Sequence, residues 1–385
     1  MEAYLDNSAT TFVTESVRNE VVRAMETDFG NPSSQHMKGV EAEQIVRCSR
    51  EMIASTLKCS EKEIFFTSGG TEANNWAIVG GAMANRRRGM HLITTAVEHA
   101  SVLMPMQYLE QQGFRVTYLP VDRMGHVDPE DLRKALRNDT ILVSMMQVNN
   151  EVGAIEPVEE AASIIKAFSP DILFHVDAVQ SYGKYAIRPG RRNIDLLSVS
   201  GHKLHGPKGT GFLYIREKTK INPLILGGGQ QKGMRSGTDN VPGIAGMARA
   251  AADCYDHLEE NTQHLKMLRD RLREGLMKMD RVVLHSGCGE ESAVHILNAS
   301  FVGVRSEVML HALEEKGIYV SAGSACSSNK KLPVSNVLIQ LGMPAEEQES
   351  ALRFSFSRFN TAEEVDYTLE EIGKLLPVLR RFTRH

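Results

Sequence analysis

With 385 residues, the chain is long enough to bury a large core and to form two domains. Its 42% hydrophobic and 24% charged residues are ordinary for a globular enzyme, and a formal net charge of -4 leaves no electrostatic footprint for nucleic acid. No apolar run approaches a membrane span and the first residues lack a signal-peptide pattern, so no membrane association is expected. The cysteines (Cys48, Cys59, Cys254, Cys288 and Cys326) are a scattered, odd-numbered set without CxxC pairs. That argues against a disulfide framework or a zinc site and points to a reducing cytoplasm.

Strand-like apolar runs at Glu63–Thr67, His91–Thr95, Arg115–Leu119, Thr140–Met145 and Ile172–Val176 alternate with helical patterns such as Asp131–Arg137 and Val158–Phe168. The alternation predicts an α/β domain with a mainly parallel sheet, whose ligands bind beyond the carboxyl ends of the strands. The basic run Arg86–Arg88 is short and reads as a helix end or solvated surface. From Asp253 to Met279 one long, charged, amphipathic helix without a breaker is expected. Strand-like Val282–Leu284 and Ile296–Phe301 follow, then a helix over Ser306–Lys316, the run Ile318–Ser321 and a closing helix from Thr361. The pattern predicts a large domain over residues 15–255 and a smaller α+β domain from 1–14 and 256–385. The polar stretch Ser324–Ser335 reads as a mobile loop.

Several motifs fall just beyond strands. Ser200-Gly201-His202-Lys203-Leu204-His205-Gly206 follows Ile194–Val199, and His175-Val176-Asp177-Ala178-Val179-Gln180 follows Ile172–Phe174. A lysine in a glycine- and histidine-rich loop beside an aspartate at a neighbouring strand end points to pyridoxal phosphate. The lysine would form the Schiff base, and the aspartate would hold the ring as an electron sink. Thr67–Asn75, containing Gly70 and Thr71, follows a strand and opens a helix. Its glycines and first helix amides suit an anion, although a plain strand–helix turn reads equally well from that motif alone. Ser200 and His202 are further phosphate donors.

His99, past another strand, can stack on a pyridine ring and shuttle protons, where a lone histidine is otherwise structural. Asn149 can serve a ring oxygen or a substrate carboxylate, or simply form a turn. Gln180 can donate to a phenolate oxygen or cap a helix. Arg353, alternating within Leu352–Phe359, can grip a carboxylate through two parallel bonds or form a structural ion pair. Cys48, Cys59 and Cys254 read as small buried hydrophobes. Cys326, among small residues and near Lys330 and Lys331, reads as an exposed nucleophile, with Cys288 its rival.

In this order, these residues resemble the cysteine desulfurases of the NifS/IscS-like group in the class V aminotransferase superfamily. The resemblance covers nearly the whole chain, from Tyr4–Thr11 through Gly30–His36 and Arg235–Thr238 to Arg353–Ser355. Gly323–Ser327 is similar to the longer cysteine loop of the IscS/NifS type, at about 321–336 in this chain. The resemblance implies the type I fold of pyridoxal phosphate-dependent transferases, as a homodimer with active sites at the subunit interface. It makes Lys203 the cofactor-binding lysine, with Asp177 at the pyridine nitrogen, Gln180 at the phenolate oxygen and His99 on the ring face. Gly70, Thr71, Ser200 and His202 would hold the phosphate, joined by Thr238 of the partner subunit. Asn149 and Arg353 would bind the substrate carboxylate, and Cys326 would attack the substrate sulfur. The implied reaction turns L-cysteine into L-alanine, leaving a persulfide on Cys326 for an acceptor protein. That acceptor would be an iron–sulfur scaffold or a tRNA thiolation enzyme, and the pair Lys330–Lys331 departs from the family pattern and leaves its identity open. Another class V enzyme, such as an aminotransferase or a selenocysteine lyase, or a non-catalytic sulfur carrier of the same fold, are the competing readings. An aminotransferase needs no exposed loop cysteine, and a degenerate carrier need not keep Lys203, Asp177, His99 and Cys326 together.

Overall fold

The computed structural model describes residues 1–322 and 335–382. Residues 323–334 and 383–385 lie outside the described residues, and with them Cys326, Lys330 and Lys331. The strands, in chain order, are β1 (Ala3–Tyr4), β2 (Ile64–Thr67), β3 (His91–Thr95), β4 (Arg115–Leu119), β5 (Thr140–Met146), β6 (Leu173–Asp177) and β7 (Leu196–Ser200). They continue as β8 (Gly211–Ile215), β9 (Val282–Leu284), β10 (Ile296–Phe301), β11 (Ile318–Tyr319), β12 (Ser321–Ala322) and β13 (Ala351–Ser355).

The large sheet has the order β2-β8-β7-β6-β5-β3-β4. β3 to β7 are parallel, while β8 runs against both its neighbours, β7 and β2. The sheet is therefore mainly parallel, as the alternation of patterns predicted. Its strands carry continuous apolar runs because both faces are covered. Val143, Phe174, Leu197 and Phe212 join one apolar cluster with residues from Glu15–Glu26, Met37–Leu57 and Val158–Phe168. Their immediate neighbours Leu142, Leu173, Leu196 and Leu213 join another, with Ala73, Trp76, Val102 and Met106. Successive side chains point to opposite faces, so adjacent residues feed opposite clusters.

A smaller antiparallel sheet, β12-β13-β10-β9, packs its apolar residues against the helices Leu258–Leu276, Ser306–Glu314 and Ala362–Leu379. Ala3 and Leu5 belong to this cluster, although they lie at the start of the chain.

The long helix expected over Asp253–Met279 is instead two, Val241–Tyr255 and Leu258–Leu276, with His257 between them at φ -127°, ψ 30°. The break has a packing cause: Cys254 fills the large-sheet core, whereas Leu265 and Leu268 fill the small-sheet core. One straight rod cannot serve both.

His175 lies at the centre of the large sheet. Its Nδ1 meets Ser144 Oγ on β5 at 2.8 Å, and its Nε2 meets Ser198 Oγ on β7 at 2.9 Å. Burial pulls its pKa down to about 3. Because the folded value lies below the unfolded one, the unfolded chain binds the extra proton first as the medium is acidified. The stability this neutral ring contributes is thus complete above about pH 6.5 and lost as pH falls toward about 3. Substituting His175→Gln keeps a hydrogen-bonding amide but removes the titration. Its thermal midpoint should fall less steeply than that of the parent protein between about pH 7 and about pH 5. Parallel scanning-calorimetry profiles, with equal slopes, would show that the ring does not link proton uptake to folding.

Candidate active site

The carboxyl ends of β3, β5, β6 and β7 release the chain into the segments that hold the polar motifs. β6 ends on Asp177, whose carboxylate is buried. Its Oδ1 accepts from Val179 N at 2.9 Å and its Oδ2 from Asn74 Nδ2 at 2.7 Å. Burial drives this carboxyl above the ordinary carboxylate range, against the donors and the nearby His99 and Lys203. Asn74 Nδ2 also donates to Ser101 Oγ at 2.9 Å, and Ser101 Oγ meets His99 Nδ1 at 2.8 Å. Asp177 and His99 are thereby joined through two side chains.

β7 ends on Ser200, and the next turn carries His202 and Lys203. Lys203 Nζ donates to the carbonyls of Ser8 and Ala9, the latter at 2.7 Å. Gln180 Nε2 donates to the same Ser8 carbonyl at 3.1 Å. His202 is half-buried, with Nδ1 3.2 Å from Thr10 Oγ1; burial and then Lys203 and Lys208 bring its pKa to about 4, so it faces the site neutral. Gly69 has φ +149°, a conformation left to glycine, and sets the start of the helix run at Gly70. A Cβ on Gly70 would come 2.7 Å from Val179 Cγ2 and 3.5 Å from Ser200 Cβ, so this turn packs directly against both strand ends. Thr71, on the same turn, is exposed.

Thr238 is exposed on a separate loop and does not join this group within the chain. That loop is nonetheless tied to the Gly70 turn. Arg235 grips Glu72 with both arms, Nε to Oε1 at 2.8 Å and a terminal nitrogen to Oε2 at 3.1 Å.

A pyridoxal phosphate expected here fits the residues present. The buried Asp177 carboxylate calls for a cation, which a protonated ring nitrogen supplies. Ser8 Oγ and Gln180 Oε1 are buried beside Lys203 without a hydrogen-bond partner among the described residues.

Arg353, on β13, is buried and faces this group from the small sheet. It donates to Asp6 Oδ1 at 2.7 Å and to the Asn150 carbonyl at 2.9 Å, while its Nε has no partner among the described residues. The expectation for Asn149 needs correction. Its Nδ2 donates to the Val97 carbonyl and its Oδ1 accepts from Glu151 N and Val152 N, so the side chain is consumed by its own turn. Asn150, whose Oδ1 is buried without a hydrogen-bond partner among the described residues, is the amide of the pair left with capacity for a ligand. An Asn-Asn pair gives no periodicity from which the outward member could be read.

Two buried acids also escaped the sequence reading. Glu98 Oε1 accepts from Met146 N and Thr95 Oγ1, tying the ends of β5 and β3, and burial followed by Asp177 pushes its carboxyl well above the ordinary range. Glu151 accepts from Ser335 Oγ, and burial raises its carboxyl against that bond, Arg353 and His99. A single acid beside a histidine or an asparagine carries no sequence signal of burial. Among the cysteines, burial lifts the Cys59 thiol to about 12 and raises that of Cys254, which suits inert packing groups. Cys48 is exposed rather than buried, and so is Cys288.

Comparison with known proteins agrees with this geometry. The model of the family Aminotransferase class-V matches residues 3–368. A cysteine desulfurase IscS from Methanosarcina thermophila is 46% identical over 380 residues, spanning 99% of this chain and 93% of the relative. A solved NifS-like protein superposes with a TM-score of 0.93 at 41% identity, covering 98% of this chain and all (100%) of its own. A solved structure of SspA in complex with cysteine gives a TM-score of 0.81 at 33% identity, over 93% of this chain and 100% of that one. These likenesses run through both sheets and the groups between them. The chain belongs to the class V aminotransferase family, in its group of NifS/IscS-like cysteine desulfurases.

Proposed function

We propose that this pyridoxal phosphate enzyme converts L-cysteine to L-alanine and passes the sulfur, as a persulfide on Cys326, to an acceptor protein. The observation that carries the reading is the meeting of three groups around one short segment. Lys203 binds the Ser8 and Ala9 carbonyls, Arg353 binds Asp6, and the buried Asp177 carboxylate stands close enough to Lys203 to feel its charge. A lysine, a ring-nitrogen partner and a carboxylate clamp in one place are what an α-amino acid substrate needs. The relative solved with cysteine supports that substrate.

Bound at Lys203, the cofactor supplies an electron sink for the charge that develops at the substrate Cα. Asp177 keeps a proton on the ring nitrogen, and Gln180 serves the ring oxygen from its place beside Ser8. Gly70, Thr71, Ser200 and His202 line the phosphate, with His202 acting as a neutral hydrogen-bond partner. Arg353 orients the substrate carboxylate while Asp6 and the Asn150 carbonyl hold the guanidinium in place. Asn150 takes the amide role first assigned to Asn149. The Lys203 amine, once free, takes the α-proton. The Cys326 thiolate then attacks the substrate Sγ: the C–S bond breaks, its electron pair stays on the carbon side and is protonated, and an S–S bond forms. The role of Cys326, which lies outside the described residues, rests on its sequence context.

The division into a large domain (15–255) and a small one (1–14 with 256–385) is supported by the separate apolar clusters of the two sheets. A homodimer is supported by exposed Phe29, Met37 and Leu226, at 66%, 70% and 79% exposure, the last in the loop that carries Thr238. The acceptor we assign to iron–sulfur cluster assembly or tRNA thiolation, in a reducing cytoplasm where the thiols stay free.

Incubation with L-cysteine and dithiothreitol, assaying alanine and sulfide together, tests the reaction. The parent enzyme should give equal yields of both. Cys326→Ala should keep the visible absorbance of the bound cofactor and lose sulfide and persulfide formation; full activity in that variant would refute the mechanism. Arg353→Lys keeps the charge but loses the planar fork, so the KM for L-cysteine should rise about tenfold, with a smaller change in kcat. An unchanged KM would take Arg353 out of carboxylate binding.

A further inference from the structure

The chain of hydrogen bonds from Asp177 to His99 has a direction, and that direction fixes a proton. It starts at the carboxylate, which can only accept. Asn74 must therefore turn its amide nitrogen toward Asp177 Oδ2; the flipped amide would set its carbonyl oxygen against a carboxylate oxygen. The same nitrogen donates to Ser101 Oγ. With one lone pair of Oγ so occupied, the hydroxyl proton is free to point at His99 Nδ1, 2.8 Å away. The backbone N–H of Ser101 points there too, at 3.1 Å, because His99 caps the helix Ala100–Gln111 with this nitrogen. Two donors converge on Nδ1, so it is an acceptor. The neutral ring then carries its hydrogen on Nε2.

We infer that His99 works as a neutral ring protonated at Nε2, locked in that tautomer by Asn74 and Ser101, and that it serves the reacting groups as a hydrogen-bond donor rather than by taking up a second proton. Becoming a cation would require a hydrogen on Nδ1. That hydrogen would break the helix cap and face the Ser101 N–H, and the Ser101 hydroxyl would have to turn its own proton away and accept through its second lone pair. The added hydrogen would also set positive charge at a helix N-terminus, where the dipole opposes it. The same logic keeps the catalytic histidine of triosephosphate isomerase neutral.

Among the described residues, the charged groups that act on the ring include Asp177 on β6 and Glu151 in the turn after β5, and both favour a cation. Their pull is limited. Asp177 already holds two donors and is shared with Lys203, and Glu151 is buried against Ser335 Oγ with Arg353 nearby. Glu98, next along the chain, is spent on Met146 N and Thr95 Oγ1. Ser101 and Asn74 are positioning residues in this scheme. They set which nitrogen of His99 carries the proton and touch no reacting atom.

The inference rests on the desulfurase reading for what the donor acts upon, but its first test does not need turnover. In holoenzyme labelled with 15N-histidine, with the His99 signals assigned by their loss in His99→Gln, one ring nitrogen should be pyrrole-type and one pyridine-type from about pH 8 to about pH 6, across the ordinary histidine range. The pyrrole-type nitrogen should couple to both ring carbon protons, which marks it as Nε2. Two pyrrole-type nitrogens at about pH 7, or a pyrrole-type Nδ1, would overturn the inference. Ser101→Ala should lower kcat by about fivefold, the loss of one hydrogen bond, and leave the KM and the visible cofactor absorbance unchanged. Ser101→Thr should restore the rate. An unaltered kcat in Ser101→Ala would also overturn it. A failure of the desulfurase reading shows separately, as absence of alanine formation in the parent enzyme.

Discussion

The burial of the Asp177 carboxylate at the end of a central strand is the constraint on which the site depends. Taking a carboxylate out of water costs several kcal/mol, on the order of what a whole ion pair returns. Two donors, Val179 N and Asn74 Nδ2, offset part of it, at roughly 1.5–3 kcal/mol for each bond to a charged group. The remainder needs a positive partner. The surroundings of the strand end keep the charge count there low. His175, two residues earlier, is pulled down to about 3 and adds no cation, and burial pushes the Glu98 carboxyl well above its ordinary range, which disfavours a second anion there. On the proposed reading, the Asp177 carboxylate is the group at this strand end that meets the cofactor ring, and no histidine cation on its own strand competes for it.

The N-terminal segment is the second organising element. Asn7 N donates to the Ser355 carbonyl and Ser8 N to Ser355 Oγ, which fastens the segment to the end of β13. The same few residues hold Arg353 through Asp6 and Lys203 through the carbonyls of Ser8 and Ala9. Thr11 then binds the His202 carbonyl through both its N–H and its hydroxyl. The strap from Asp6 to Thr11 therefore carries the register between the small sheet, which holds Arg353, and the large sheet, which leads to Lys203. The Asp6–Arg353 pair, largely buried, contributes orientation more than stability, since its desolvation cancels much of its attraction.

What the sequence could disclose followed from chain-local chemistry. Lys203 and Asp177 stand out because each follows an apolar strand, and a strand end in an α/β sheet is a functional address. The parallel sheet was legible in the alternation of runs, down to the helix Val158–Phe168, which has the predicted bounds. Contacts between distant segments were not legible. β8 escaped notice, and it alone reverses the strand direction of the large sheet among the described residues. The break at His257 is decided by which core each neighbouring helix fills, and no residue at the break announces it. Asn149 and Asn150 differ only in which way the turn points them, and the turn is set by Val97, Glu151 and Val152. The acids Glu98 and Glu151 read as ordinary polar residues because burial is a property of the fold around them.

The two ends of the segment that contains Cys326 bear on how that cysteine is served. On the N-terminal side, β12 pairs with β13 in the register Ser321↔Arg353, so the chain leaves the small sheet beside Arg353 itself. On the C-terminal side, Ser335 caps the helix Asn336–Gln340 and donates to Glu151, while Asn336 Nδ2 binds the Ala96 carbonyl in the turn that leads to His99. Glu151 follows Asn150, whose carbonyl holds Arg353. Both anchors therefore answer to the same arginine, one through strand pairing and one through the turn after β5. On the proposed reading, in which Arg353 grips a carboxylate, the guanidinium and both ends of this segment share immediate partners. Local coupling of this kind needs no long pathway, only the shared partner and the rigid sheet behind it.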